Sequence, residues 1–138
     1  FGAEILGHTY CPDELPKMEE AITSYLALGA DMIILAGGMS VDPDDVTPEA
    51  IRKSGAKVVT YGVPIQPGNM FMLAYLGGTV LMGVPGAAIF SKTTVLDVVL
   101  PRIFSGETLV KDDFLEMGEG GFCLGCKECR YPICYYGR

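Results

Sequence analysis

Gly37, Gly38 and Ser40, followed closely by the carboxylates of Asp42, Asp44 and Asp45, are the residues whose types and order could do chemistry in this chain. Glycines let main-chain N–H groups turn outward with no Cβ in the way. With the Ser40 hydroxyl, such amides suit a phosphate or a pterin group. Clustered carboxylates either face solvent or, together with phosphate oxygens, hold a hard cation such as Mg²⁺. Asp45 stands beside a helix start and is the carboxylate expected to be functional. Thr47 is expected to cap that helix, and Pro48 to fill its first position. The bland alternative for Gly37-Gly38 is a plain strand-to-helix turn.

Two further turns have the same character. Val84-Pro85-Gly86 precedes a helical stretch and would offer the N–H groups of Ala87, Ala88 and Ile89 to an anion. Packing of a helix on a sheet would explain the same residues. Pro67-Gly68 lies in a proline-stiffened loop and is either a ligand contact or only a turn. Near the C-terminus, Cys123, Cys126, Cys129 and Cys134 supply four thiols in one short segment. A tetrahedral Zn²⁺ site or an iron–sulfur cluster would use all four. The segment from Gly120 has too little apolar bulk to fold alone, and metal would supply the missing free energy. The alternative is a mobile, reduced tail without metal. Cys11 stands apart as a small thiol, His8 reads as structural, and Lys92 as a surface residue.

These groups must be positioned by regular elements. Met32–Leu35 reads as a strand buried on both faces, leading into the glycine loop. Before it, residues 1–10 suggest an entering strand with Ala3, Ile5 and Leu6 inward. Asp13 would cap a helix over 14–28, whose apolar positions Leu15, Met18, Ile22, Tyr25 and Leu26 recur at helical spacing. Gly29 would stop it. A short helix over 48–54 follows the loop, then strands at 57–61 and 79–84. Residues 70–75 are an apolar stretch of undefined type, ended by the Gly77-Gly78 turn. One long apolar helix is expected over 87–103. Alternating strands and helices define an α/β class, a three-layer α/β/α sandwich with a mostly parallel sheet. Ligands in such folds sit beyond the carboxyl ends of the strands, where both glycine-rich turns fall. Residues 1–106 read as one domain and 107–138 as an extension carrying the cysteines.

A formal net charge of −7 with ten scattered basic residues argues against nucleic acid as partner. No apolar run has the length of a membrane span, and no charged-then-apolar leader opens the chain, so a cytoplasmic protein is expected. Phe1 stands where a methionine would open a full-length product, which reads as a fragment.

Taken together, the motifs resemble the molybdopterin-binding domain family of molybdenum-cofactor biosynthesis, which includes MogA/MoaB, MoeA/gephyrin and the CinA N-terminal domain. Gly37-Gly-Met-Ser-Val41 is similar to the Gly-Gly-x-Ser-Val loop of MoeA, and Asp45-Val-Thr-Pro-Glu-Ala50 to the Asp-Val-Thr-Pro-Glu-Ala stretch of the MoaB and MogA branch. Pro67-Gly68 resembles the MoeA Pro-Gly-Lys-Pro loop, and Gly83-Val-Pro-Gly86 its Gly-Leu-Pro-Gly turn. The resemblance implies a MogA-like fold binding the molybdopterin phosphate and pterin in one cleft. It implies ligand contacts from Gly37, Gly38, Ser40, Asp42, Thr47, Pro67, Gly68, Pro85 and Gly86, with Asp45 as the catalytic or Mg²⁺-associated carboxylate. The family's opening strand and helix, with their Thr-Gly-Asn-type motif, are expected to be missing from this sequence. Asn69 and Met70 replace the family's Lys-Pro, and Asp42-Pro43 replaces its Gly-Asp.

Family members adenylylate molybdopterin with Mg-ATP or insert molybdate into the adenylylated form, so either reaction is implied here. The resemblance likewise allows homo-oligomers, an ATP or AMP moiety in the site, and a molybdoenzyme partner. Two readings compete. One is a non-catalytic pterin carrier or sensor whose cysteine tail docks a partner. The other is a CinA-like nucleotide pyrophosphate hydrolase, since Pro43-Asp-Asp-Val-Thr47 also resembles that branch.

Overall fold

The computed structural model describes residues 1–137. Its centre is a four-stranded sheet in the order β1-β4-β3-β2, with β1 Met32–Ala36, β2 Lys57–Tyr61, β3 Met72–Leu76 and β4 Thr79–Val84. β1 and β4 pair in parallel, whereas β3 is antiparallel to both β4 and β2. Three strands therefore run one way and β3 runs back between two of them. The apolar stretch at 70–75 is that reversed strand. Gly77, at φ 57°, turns it into β4 through a two-residue hairpin.

Alternating residues of β3 and β4 feed two cores. Phe71, Leu73, Met82 and Val84 enter one cluster, and Met72, Ala74 and Leu81 enter the other. Both strands are central and covered on both faces, which explains their nearly unbroken apolar sequences. On one face lie α1 (Leu15–Ala27) and α2 (Thr47–Lys53), contributing Met18, Ile22, Ala50 and Ile51. On the other lie α4 (Val95–Phe104) and α5 (Lys111–Glu116), contributing Val95, Val99 and Phe114. Each fully buried Ile, Leu or Phe contributes about 1.5–3 kcal/mol. The three-layer α/β/α sandwich is thus present, with a mixed sheet.

Several elements differ from expectation. Residues 1–10 form no strand and all are exposed, Ile5 at 84%. β1 keeps its outer edge unpaired, and Ile34 is 49% exposed there, so β1 is not buried on both faces. Glu14, not Asp13, is the N-cap of α1, and no side chain caps it. The expected helix over 87–103 is two helices, α3 (Ala87–Phe90) and α4. Thr94 explains the break: it caps α4, accepting from the Leu96 N–H, while its own N–H donates to Asp97 Oδ2 at 2.7 Å. Pro101 lies inside α4 without ending it.

Residues 107–137 pack against this framework. Leu109, Phe114, Met117 and Tyr136 are all buried in the α4-side core. Arg102 of α4 holds the start of α5 through Asp113 Oδ1 at 2.6 Å and through Glu107. Among the described residues, no helix is long and apolar enough to cross a membrane.

Candidate functional site

The register places three loops at one end of the sheet. Ala36 pairs with Val84, Tyr61 with Met72 and Met72 with Gly83. Loops 37–46, 62–71 and 85–94 therefore all leave from the carboxyl ends of β1, β2 and β4. The two glycine-rich turns emerge side by side, and the Gly37 N–H donates to the Val84 carbonyl at 3.0 Å.

Gly37 (φ 92°) and Gly38 (φ 60°) both occupy left-handed backbone. A Cβ at Gly38 would stand 2.7 Å from Thr47 Oγ1, so two separate causes demand glycine there. Thr47 is not the cap of α2. Val46 holds that position without a side-chain hydrogen bond, and Thr47 is already helical and buried. Its hydroxyl turns back and donates to the Gly37 carbonyl at 3.0 Å. Met39 points inward, 3% exposed, and its thioether fills the space that a Cβ on Gly83 would need.

The glycine turn and these anchors leave a run of donors. Among the described residues, the N–H groups of Gly38, Met39, Ser40 and Val41 have no protein acceptor. Successive N–H groups in a turn can build an anion-binding concavity. Ser40 and Asp42 are exposed, and Asp45 is half-buried at the entry to α2. The Asp45 N–H donates to the Asp42 carbonyl at 3.0 Å, which closes the acidic turn. Asp42, Asp44 and Asp45 are not gathered into a metal-holding group.

The other two turns are more engaged. Ala88 and Ile89 donate their N–H groups to the Pro85 and Gly86 carbonyls, so these two amides are not available to an anion as expected. Short helical turns satisfy their own amides in this way. Gly68, at φ 109°, is buried under Val95, where a Cβ would fall 2.8 Å from Cγ1. The Pro67 carbonyl accepts from the Tyr136 hydroxyl at 2.8 Å. Burial pushes the Tyr136 phenol well above its ordinary range, keeping it a donor.

The cysteine tail is not assembled as a metal site. Among the described residues, no three His, Cys, Asp or Glu side chains are grouped to hold a metal ion. Cys123 and Cys134 turn toward the α4-side core, whereas Cys126 and Cys129 are exposed. Packing of the first and last thiols on that core, with the middle two left in solvent, separates them. Cys129 instead sits 3.2 Å from the Thr93 hydroxyl. That hydroxyl, the Tyr131 N–H and the Lys92 ammonium hold its thiol below the usual range.

Sequence reasoning passed over Tyr61 and Met39 as residues that shape the loop, and Tyr136 and Asp13 as residues placed beside the site. Tyr61 donates to the loop's carbonyls, Met39 anchors it from below, and Tyr136 holds the neighbouring loop. Asp13 brings a carboxylate oxygen 3.4 Å from the Cβ position of Gly38. An aromatic residue ending a strand was the signal available for Tyr61. Met39 is the one apolar side chain between Gly38 and Ser40, and Asp13 carried no signal beyond its helix-start position.

A glycine turn with free amides at the strand ends of a three-layer sandwich defines a ligand-binding α/β module. Residues 1–105 match the family described as "probable molybdopterin binding domain", and the chain belongs to that family. It is 29% identical over 100 residues to the molybdopterin molybdenumtransferase of Haemophilus influenzae, covering 72% of this chain and 24% of that protein. Among solved structures it is similar to the molybdopterin biosynthesis MoeA protein of Pyrococcus horikoshii, with a TM-score of 0.53 and 22% identity over 66% of this chain and 21% of that one. It is also similar to the molybdopterin biosynthesis enzyme MoaB of Thermus thermophilus, with a TM-score of 0.51 and 20% identity over 72% of this chain and 70% of that one. The chain spans about a quarter of the transferase's length. At these identities the two structures speak for the fold.

Proposed function

We propose that the chain binds molybdopterin through the loop Gly37–Val41, with the ligand's phosphate on the free main-chain amides. The observation that carries this reading is the run of four acceptor-less N–H groups, Gly38 to Val41, at the end of β1. Family membership supports the choice of ligand. Amides suit this task in a chain with a net charge of −7, because they supply positive potential without a local lysine. Asp45, half-buried at the entry to α2, is the carboxylate we assign to chemistry at the bound ligand. Of the two reactions the family performs, similarity to a molybdenumtransferase favours molybdate insertion.

Calorimetry of the full chain with molybdopterin, and then with its adenylylated form, tests the reading. Micromolar or tighter binding is expected, with preference for the adenylylated form if molybdate insertion is the step. Absence of binding to both ligands would overturn it. Asp45→Ala should keep binding and lose turnover; retained turnover removes Asp45 from the chemistry.

A further inference from the structure

Tyr61 closes β2, on the far side of the sheet from β1, yet its side chain reaches the glycine loop. The Tyr61 hydroxyl lies 3.1 Å from the Met39 carbonyl oxygen and 3.2 Å from the Ser40 carbonyl oxygen, donating into the pair. Two consecutive carbonyls thus converge on one phenol. The guanidinium of Arg52 covers the Tyr61 ring at 5.3 Å from its centroid, and Glu49 lies 3.9 Å from that guanidinium.

The consequence follows from the planarity of the peptide group. In a trans peptide the C=O of one residue and the N–H of the next point in opposite directions. Cis bonds among the described residues are Gln66-Pro67 and Tyr131-Pro132, so both peptides in question are trans. With the Met39 and Ser40 carbonyls aimed at Tyr61, the N–H groups of Ser40 and Val41 point away from it. Neither has a protein acceptor among the described residues.

We infer that Tyr61 is a positioning residue for anion binding: its hydroxyl orients the peptides that present the Ser40 and Val41 amides to the ligand's phosphate. The inference rests on the reading of the loop as the molybdopterin site and deepens it. Met39 supports the same geometry from below, since its buried side chain prevents the loop from lifting. Tyr61 acts through the backbone and need not touch the ligand.

The test compares wild-type protein and Tyr61→Phe by calorimetry, with molybdopterin and with the same pterin after removal of its phosphate. Tyr61→Phe keeps the ring and its Arg52 contact while deleting the donor. Roughly tenfold weaker binding of the phosphorylated ligand is expected, the scale of one lost hydrogen bond. The dephosphorylated pterin should bind both proteins equally, and the melting temperature of the variant should fall only by the few degrees that one lost hydroxyl–carbonyl bond costs. Equal affinity of both proteins for molybdopterin would overturn the inference and leave the site reading intact. Equal weakening with both pterins would also overturn it, because the role would then be structural. No binding by the wild-type protein removes the site reading and this inference with it. A perturbation of the Ser40 and Val41 amide resonances in ligand-free Tyr61→Phe is expected as an independent sign, and unchanged resonances would count against the inference.

Discussion

Thr47 Oγ1 donates to the carbonyl oxygen of Gly37 at 3.0 Å, tying the first buried residue of α2 to the first glycine of the loop before it. The bond turns a flexible glycine pair into a fixed corner, because one end of the loop continues β1 and the other begins a packed helix. Replacing the hydroxyl by a methyl group leaves the Gly37 carbonyl without its partner. Thr47→Val should therefore lower unfolding free energy by about 1 kcal/mol, and Thr47→Ser should recover most of it. Urea denaturation of both variants against wild type measures the difference.

Gly38 and Gly77 have nearly the same positive φ, 60° and 57°. A Cβ at Gly38 would meet Thr47 Oγ1 at 2.7 Å, whereas one at Gly77 meets nothing within 4 Å. Gly77→Ala should then cost only the left-handed backbone penalty, about 1–2 kcal/mol. Gly38→Ala should cost more and should also impair ligand binding. Equal losses in thermal or urea unfolding would show that the Thr47 contact is relieved at no cost.

Asp113 accepts the Val110 N–H at 2.7 Å and pairs with Arg102. The Val110 bond first, then the Arg102 guanidinium, holds its carboxyl below the usual range. A depressed folded pKa contributes stability that is complete above the unfolded value, about 3.9, and is lost as pH falls through the folded value. Stability should therefore fall as the solution is acidified below about pH 4. Asp113→Asn should flatten that part of the pH–stability curve and lower the plateau above it. Unfolding curves recorded across this acid range check both effects.

Cys129 is exposed beside the Thr93 hydroxyl, the Tyr131 N–H and Lys92, with its thiol shifted down. Its alkylation should become fast at a pH below the ordinary thiol value of about 8.5. Thr93→Val removes the largest cause and should move that midpoint upward. Mass spectrometry of iodoacetamide-treated protein against pH follows the site by its own peptide. An unmoved midpoint in the variant would remove Thr93 from the cause.

Local sequence determined much of this protein. The helical spacing of Met18 and Ile22, the glycine stop after α1, the β2 and β4 segments and the Gly77-Gly78 turn are all present where the residues predict them. Each depends on neighbours a few positions away, and side-chain periodicity and glycine backbone freedom act at that range. The resemblance of the loop and turn motifs to the molybdopterin-binding family was likewise legible, and the family match over residues 1–105 agrees with it.

Where the chain is ambiguous locally, tertiary packing decided. Residues 1–10 have strand-like composition but no strand pairs with them, and a strand without a partner leaves its amides to water. The stretch 87–103 is the exception, because its break is local: the polar run Ser91–Thr94 and the Thr94–Asp97 capping box divide it, a signal that apolar periodicity alone passes over. The cysteine spacing suggested a metal centre, yet two thiols turn to the α4-side core and two to solvent. The reach of Tyr61 to the Met39 and Ser40 carbonyls joins residues more than twenty positions apart. No local pattern encodes such a contact: it exists because α2, β2 and the glycine loop are brought together by the core beneath them.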